Sequence, residues 1–241
     1  METVQKVDSA GNMIQALDDM PGLEIIFSGS NNIAIIHPQV RIRKLKLEFN
    51  CSDAVFQIGS HSVDGAFEGL IRLGEGSQVL IGNDVTCTAH CFITASEYAR
   101  VVIGNDCMFA TANQIRTDDA HPIFDVRTGL RLNPAEDVVI ADHVWLAYGA
   151  KVLGGSEIGE GTIVGMDSLV KGSFSNNCVI AGKPAKMIRT DVAWERPHLS
   201  FDEPYYKPNS SFVNKSKYWN LTKQPAIKDK INDDGDSAID M

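Results

Sequence analysis

From residue 140 the chain sets an aliphatic residue at every sixth position without a miss: Ile140, Leu146, Val152, Ile158, Val164 and Val170. Four positions after each come Val144, Ala150, Ser156, Thr162, Ser168 and Phe174, mostly small or β-branched. A period of six matches neither the 3.6 of an amphipathic helix nor the 2 of a half-buried strand, so it specifies a structural repeat. The spacing recurs upstream in Leu73 and Val79, in Ile81, Cys87 and Ile93, and in Ile103, Phe109 and Ile115. Glycine follows an aliphatic residue at Gly59, Gly74, Gly82, Gly104, Gly159 and Gly165, where a chain turning a corner needs it. If each hexad is one short strand and a turn, three of them close a triangular coil of roughly 18 residues, with the aliphatic side chain stacked inside on its equivalent one coil away. An all-β sandwich would need strands of about 5–6 residues at period two with variable loops, which a run of equal intervals does not resemble.

Composition narrows the partners. With 44% hydrophobic and 22% charged residues, the 241-residue chain has the make-up of a soluble globular protein. No apolar run approaches the roughly 20 residues a bilayer needs, and METVQKVDSAGNM lacks the basic start and apolar centre of a secretory signal, so a cytoplasmic protein without a membrane span is expected. The cysteines at 51, 87, 91, 107 and 178 are odd in number and form no CxxC, which suits structural thiols rather than disulfides or a zinc site. Sequons at Asn209, Asn214 and Asn220 carry no weight without secretion. A formal net charge of −9 argues against a general nucleic-acid or anionic-membrane binder, leaving small-molecule or protein partners.

Between Ile115 and Ile140 the hexad phase is lost, so the chain must leave the coil as a loop over about 116–137 and return. A long excursion from a rigid solenoid is usually functional or disordered. This one opens TDDAHPIFD and sets His121 beside Pro122, after Asp118 and Asp119 and before Arg127 and Arg131. Residues 1–22 suggest a short amphipathic cap, and 23–189 the coiled domain, its first coils irregular. Residues 190–241 suggest a C-terminal arm, through WERPHLSFDEPYYKPNSSF, that ends in a disordered acidic tail, IKDKINDDGDSAIDM.

The hexads, together with IGNDVTC, VVIGNDCMFA, RLNPAEDVVIADHVWLAYGAKVLGGSEIGEGTIVGMDSLVKG and VIAGKPAKMIR, resemble the left-handed β-helix acyltransferases built on hexapeptide repeats, and among them the sugar O-acetyltransferases. DDAHPIFDVRTGLRLNPAEDVVI is similar to segments of those that acetylate bacterial surface polysaccharides, with sialic-acid capsules the nearest case. The resemblance spans roughly residues 58–189. It implies a left-handed parallel β-helix with a projecting loop, acetyl-CoA as acyl donor, a sugar hydroxyl as acceptor and no metal.

It also implies roles. His121 matches the loop histidine that takes the proton from the acceptor hydroxyl, a task for a base with a pKa near neutrality. Asp118, Asp119, Asp125 or a backbone carbonyl would orient it. Trp145, beside an inward position and therefore facing out, matches an active-site tryptophan at the acceptor and pantetheine end. Tyr148, Met166 and Lys171 match the track of CoA, with Lys186 and Arg189 toward its phosphates; family members more often carry a small residue where Tyr148 and Met166 stand. Backbone N–H groups between Trp145 and Tyr148 are candidates for the oxyanion. There is no G-x-S-x-G elbow, and Cys87 and Cys107 fall at core positions, so no covalent nucleophile is expected. A site on one coil edge excludes water only when a neighbouring chain closes it, which points to a homotrimer.

Three rivals remain open. N-acylation of an amino sugar would use the same base. A zinc β-helix hydratase resembling carbonic anhydrase needs three converging imidazoles, and His90, His121 and His143 are the candidates, without the five-residue His pair expected there. A non-catalytic β-helix scaffold is opposed by the retention of His121, Trp145 and the basic terminal motif.

Overall fold

The computed structural model of the protein describes residues 3–223. Its strands form three sheets, of nine, seven and six strands among the described residues. One coil shows the plan. Gln78–Ile81 runs along a first face, Thr86–Ala89 along a second and Cys91–Ala95 along a third, before Arg100–Ile103 returns to the first. Each strand pairs in parallel with its equivalent one coil on, Gln78–Ile81 with Arg100–Ile103 and Cys91–Ala95 with Gln114–Arg116. The chain is thus the expected mainly β structure, a left-handed parallel β-helix of about seven turns.

Strands this short have no stability of their own. Trp145–Leu146 is two residues long and is held because Met108–Thr111 pairs with it on one side and Ile163–Val164 on the other. Stacking does the rest. Ile81, Ile103, Ile140 and Ile158 lie in register on the first face, Cys87, Phe109, Leu146 and Val164 on the second, and Ile71, Ile93, Ile115, Val152 and Val170 on the third. All of them are buried, and every hexad position taken from the sequence faces this core.

Coil length departs from a uniform 18. The step from Ile140 to Ile158 is 18 residues, but that from Ile81 to Ile103 is 22. The extra residues lie between Cys91–Ala95 and Arg100–Ile103, at the corner from the third face to the first. The long excursion, between Gln114–Arg116 and Val138–Ile140, leaves from that same corner. Corner residues stand outside the ladders, so their number can change without shifting the register of any strand.

Where the first face turns to the second, Asp84, Asp106, His143 and Asn177 hold φ of 58°, 56°, 55° and 49°. This left-handed region disfavours residues with a Cβ, and Asn and Asp tolerate it best. A histidine in the row calls for a compensating interaction. Each corner hangs on the one before: the Asp106 N–H donates to the Asn83 carbonyl, 2.8 Å, and the His143 N–H to that of Asn105, 2.8 Å.

At the N-terminal end Thr3–Val7 and Met13–Leu17 form an antiparallel hairpin, and Met13–Leu17 pairs in parallel with Ile33–Ile36, joining the hairpin to the first face. At the other end Val179–Gly182 and Ala185–Arg189 pair antiparallel below the last coil. Beyond them the described arm contains one 3-10 turn, Ser210–Phe212. The acidic tail foreseen as disordered lies outside the described residues. No helix of the described residues is long and apolar enough to cross a membrane.

Candidate active site

The excursion is a finger rather than an open loop. The Leu132 N–H donates to the Ile123 carbonyl and the Asp125 N–H to that of Leu130, both at 2.8 Å, and Phe124 bridges Arg131 antiparallel. Asp125 closes the tip, accepting from the N–H groups of Arg127 and Thr128 at 2.8 Å each, and these bonds hold its pKa below the usual value. Arg131 ties the base to Glu97, which also accepts from the Ala135 N–H. The finger thereby presents Ile123, Phe124, Val126, Leu130 and Leu132 to solvent, Val126 at 99%.

His121 stands exposed at the root of the finger, held through its backbone: its carbonyl accepts from Asn133 Nδ2 at 3.0 Å. Its ring makes no hydrogen bond among the described residues. The three aspartates considered as its orienters are engaged elsewhere. Asp118 accepts from the Ala120 N–H, Asp119 from Asn133 Nδ2, and Asp125 caps the tip. A cavity of about 420 Å³ opens beneath, with Arg116, Asp118, Asn133 and Glu136 in its lining, and Lys171 is there too. Lys171 donates to Glu136 Oε2 at 2.5 Å and to the Gly154 carbonyl at 2.7 Å, so it belongs to the foot of the finger and lies apart from the other residues matched to CoA.

Tyr148 and Met166 share one corner, between the second and third faces. Tyr148 is 51% and Met166 68% exposed, one coil apart, the Asp167 N–H donating to the Tyr148 carbonyl at 2.8 Å. The terminal hairpin brings Lys186 close to this row, since Ala181 lies beside Gly165 and pairs with Lys186, whereas Arg189 pairs with Val179, in the column of Ile163 and Trp145. Lys186 and Arg189 are exposed. The third face therefore separates this rail from the corner that bears His121.

Trp145 faces outward on the second face and is half-buried. Its ring lies 6.0 Å from that of Trp194, on the arm. The N–H groups of Trp145 and Ala147 donate to Thr162 and Val164, at 3.0 and 2.9 Å, so these two amides serve the ladder and are not available to an oxyanion.

The arm supplies what the sequence did not announce. His143 is buried between the rings of Trp194 and Tyr218, at 4.1 and 4.4 Å, almost parallel to both. Its Nδ1 meets Asp106 at 2.7 Å and its Nε2 the Trp194 carbonyl at 3.0 Å, which accounts for a histidine at this strained corner and removes it from any zinc set. Arg196 donates to Asp106 at 2.6 Å, Thr86 at 3.0 Å and the carbonyls of Asp84 and Cys107. Burial disfavours the Asp106 carboxylate, but the bonds from His143 and Arg196 outweigh it and hold its pKa below that of an ordinary aspartate. The arm then doubles back: Tyr218 reaches Asp142 at 3.3 Å, and its carbonyl accepts from the buried Asn177. The only hint of this in the sequence was a cluster of aromatics after the last hexad. Cys107, buried beside it, has its thiol pushed up to about 12 by burial, as befits a core residue and not a nucleophile.

A hexapeptide-repeat β-helix whose one long excursion carries an exposed imidazole has the build of an acyltransferase. No family model matches the chain. A polysialic acid O-acetyltransferase of Escherichia coli O1:K1 / APEC is 34% identical over 129 residues, covering 54% of this chain and 42% of that protein. The putative lipopolysaccharide biosynthesis O-acetyl transferase WbbJ of Escherichia coli (strain K12) is 32% identical over 155 residues, 59% of this chain and 77% of that one. The crystal structure of the polySia-specific acetyltransferase NeuO matches with a TM-score of 0.69 and 31% identity, over 76% of this chain and 85% of that one. The chain belongs to the family of hexapeptide-repeat sugar O-acetyltransferases. It spans less than half the length of the first of these relatives.

The arm's attachment should depend on pH through Asp106. Because its pKa is depressed on folding, its stabilisation is complete above the unfolded value and is lost as pH falls through the lower folded one. Asp106→Asn should lower stability at neutral pH by roughly 1–3 kcal/mol and flatten the acid limb below about pH 4. Proteolysis of the arm, followed against pH in both proteins, measures this; an unchanged acid limb would remove Asp106 from the latch.

Proposed function

We propose that the chain transfers the acetyl group of acetyl-CoA to a hydroxyl of a sugar, with His121 as general base. The observation that carries the reading is His121 itself, an exposed imidazole whose ring makes no hydrogen bond among the described residues, rooted by its backbone on a built finger of a sugar O-acetyltransferase fold. The imidazole accepts the hydroxyl proton while the oxygen forms a bond to the thioester carbonyl carbon; the C–S bond then breaks, and the thiolate recovers the proton from the imidazolium. The carboxylates around His121 serve the finger, so its orientation comes from the closed complex. The rail of Tyr148 and Met166 suits the pantetheine arm, ending at Lys186 and Arg189 for the phosphates. The acceptor named for two of the relatives, polysialic acid, is the first sugar to assay, and a donor of this kind together with five free cysteines fits the cytoplasm.

His121→Ala should lower kcat by about 10²–10⁴-fold without moving the thermal midpoint, since the side chain is exposed and its ring makes no hydrogen bond among the described residues. Thiol release from acetyl-CoA measures it, and wild-type turnover would end the assignment. Charge reversal at Lys186 and Arg189 should raise the KM for acetyl-CoA more than that for the sugar, because these side chains sit far from the reacting carbonyl; unchanged donor kinetics would place the phosphates elsewhere.

Within one chain the third face stands between His121 and the rail, so the finger of one protomer closes the rail of the next in a homotrimer. The exposed apolar side chains of the finger support this, since a patch of that kind on a built hairpin calls for a partner. Light scattering should give a trimer for the wild type and smaller species for Val126→Asp. A wild-type monomer would contradict the assembly.

A further inference from the structure

The outer second face carries a groove that the transfer reaction leaves unassigned. Its floor is Thr86, Thr88 and Met108, one wall is the segment 62–66, and the other is the arm from Arg196 to Asp202. The cavity is about 760 Å³ and passes Pro197 and Asp202 into a second of about 480 Å³ along the arm. Ligand sites commonly enclose about 300–1,000 Å³, so one monosaccharide needs only part of this length. At its inner end Met108 is the register neighbour of Trp145, the tryptophan that the sequence resemblance sets at the acceptor end.

The chemistry of the walls is specific. Phe201 is 81% exposed, yet its ring is held against that of His198 at 4.5 Å. A fixed phenyl face in water is a platform for a flat apolar surface, such as the C–H face of a sugar ring. Thr88 and Asp64 are exposed beside it and offer partners to hydroxyls. The cations, by contrast, are engaged. Arg196 is bonded within the latch, Arg43 donates to the Thr88 carbonyl at 2.6 Å and faces Glu68 at 3.6 Å, and Lys207 donates to the carbonyls of Asp202 and Pro204. With Asp64, Asp202 and Glu203 along the same path, a polyanion would gain no net attraction there.

We propose that this groove binds a glycan chain of two or more sugars through ring faces and hydroxyls rather than through charge, and leads one end of it to Trp145. The proposal rests on the sugar O-acetyltransferase reading for its direction, but binding can be measured without acetyl transfer.

The test is saturation-transfer NMR on the full chain without acetyl-CoA. The probes are malto- and chitin-oligosaccharides of one to six residues, with sialic acid oligomers of the same lengths. A neutral series should bind with affinity rising about tenfold from monomer to trimer, and the rise should change less than about twofold between 50 and 300 mM salt. Phe201→Ala removes the platform and Thr88→Trp fills the floor, and each should abolish the rise while the thermal midpoint holds. A length dependence that survives both substitutions, no gain with length in any series, or binding confined to sialic acid with steep salt dependence would each overturn the proposal. If a bound oligosaccharide is not acetylated when acetyl-CoA is added, the transfer reaction fails and the groove stands.

Discussion

The structure depends on coil-to-coil register. A strand of two residues such as Trp145–Leu146 cannot persist alone. It exists because parallel neighbours above and below satisfy its backbone, and because Leu146 drops between Phe109 and Val164 in the core. The same register lines up the outward residues. Met108, Trp145 and Ile163 form one outer row because Phe109, Leu146 and Val164 form the inner one, so the core sets the position of the side chains on the outer coil faces.

Freedom is confined to the corners. The corner from third to first face lengthens the upper coils to 22 residues and releases the finger, with no cost to the ladders on either side. The corner from first to second face is instead locked, since Asp84, Asp106, His143 and Asn177 lie in the left-handed region and the arm is bonded to each. One corner thus carries mobility of length and His121, while the other carries a rigid seam that holds Trp194 against Trp145.

Family membership and architecture agree, and what differs from a bare β-helix is the arm. It covers part of the second face with Trp194 and Arg196, buries His143 and builds a wall of the groove beside Thr88. One carboxylate, that of the half-buried Asp106, receives both His143 and Arg196 and so joins the corner to the arm.

The sequence by itself determined the core. A six-residue period can satisfy its aliphatic residues only by stacking them, so Ile140 to Val170 were legible as inward positions and the break after Ile115 as an excursion. It also singled out His121 and Trp145, through the resemblance, and the structure puts both at the surface of the elements expected. Only the tertiary structure decided which groups meet. Lys171 matched the CoA track in sequence yet bonds Glu136 at the foot of the finger, because position along the chain does not say which corner a coil presents. His143 read as a possible ligand and is a stacked, doubly bonded wedge. Arg196 and Thr86 are far apart in sequence, and nothing periodic marks their pairing. Repeats encode nearest-neighbour contacts, whereas an arm that retraces the helix makes contacts with no period, and these exist only once the coils are stacked.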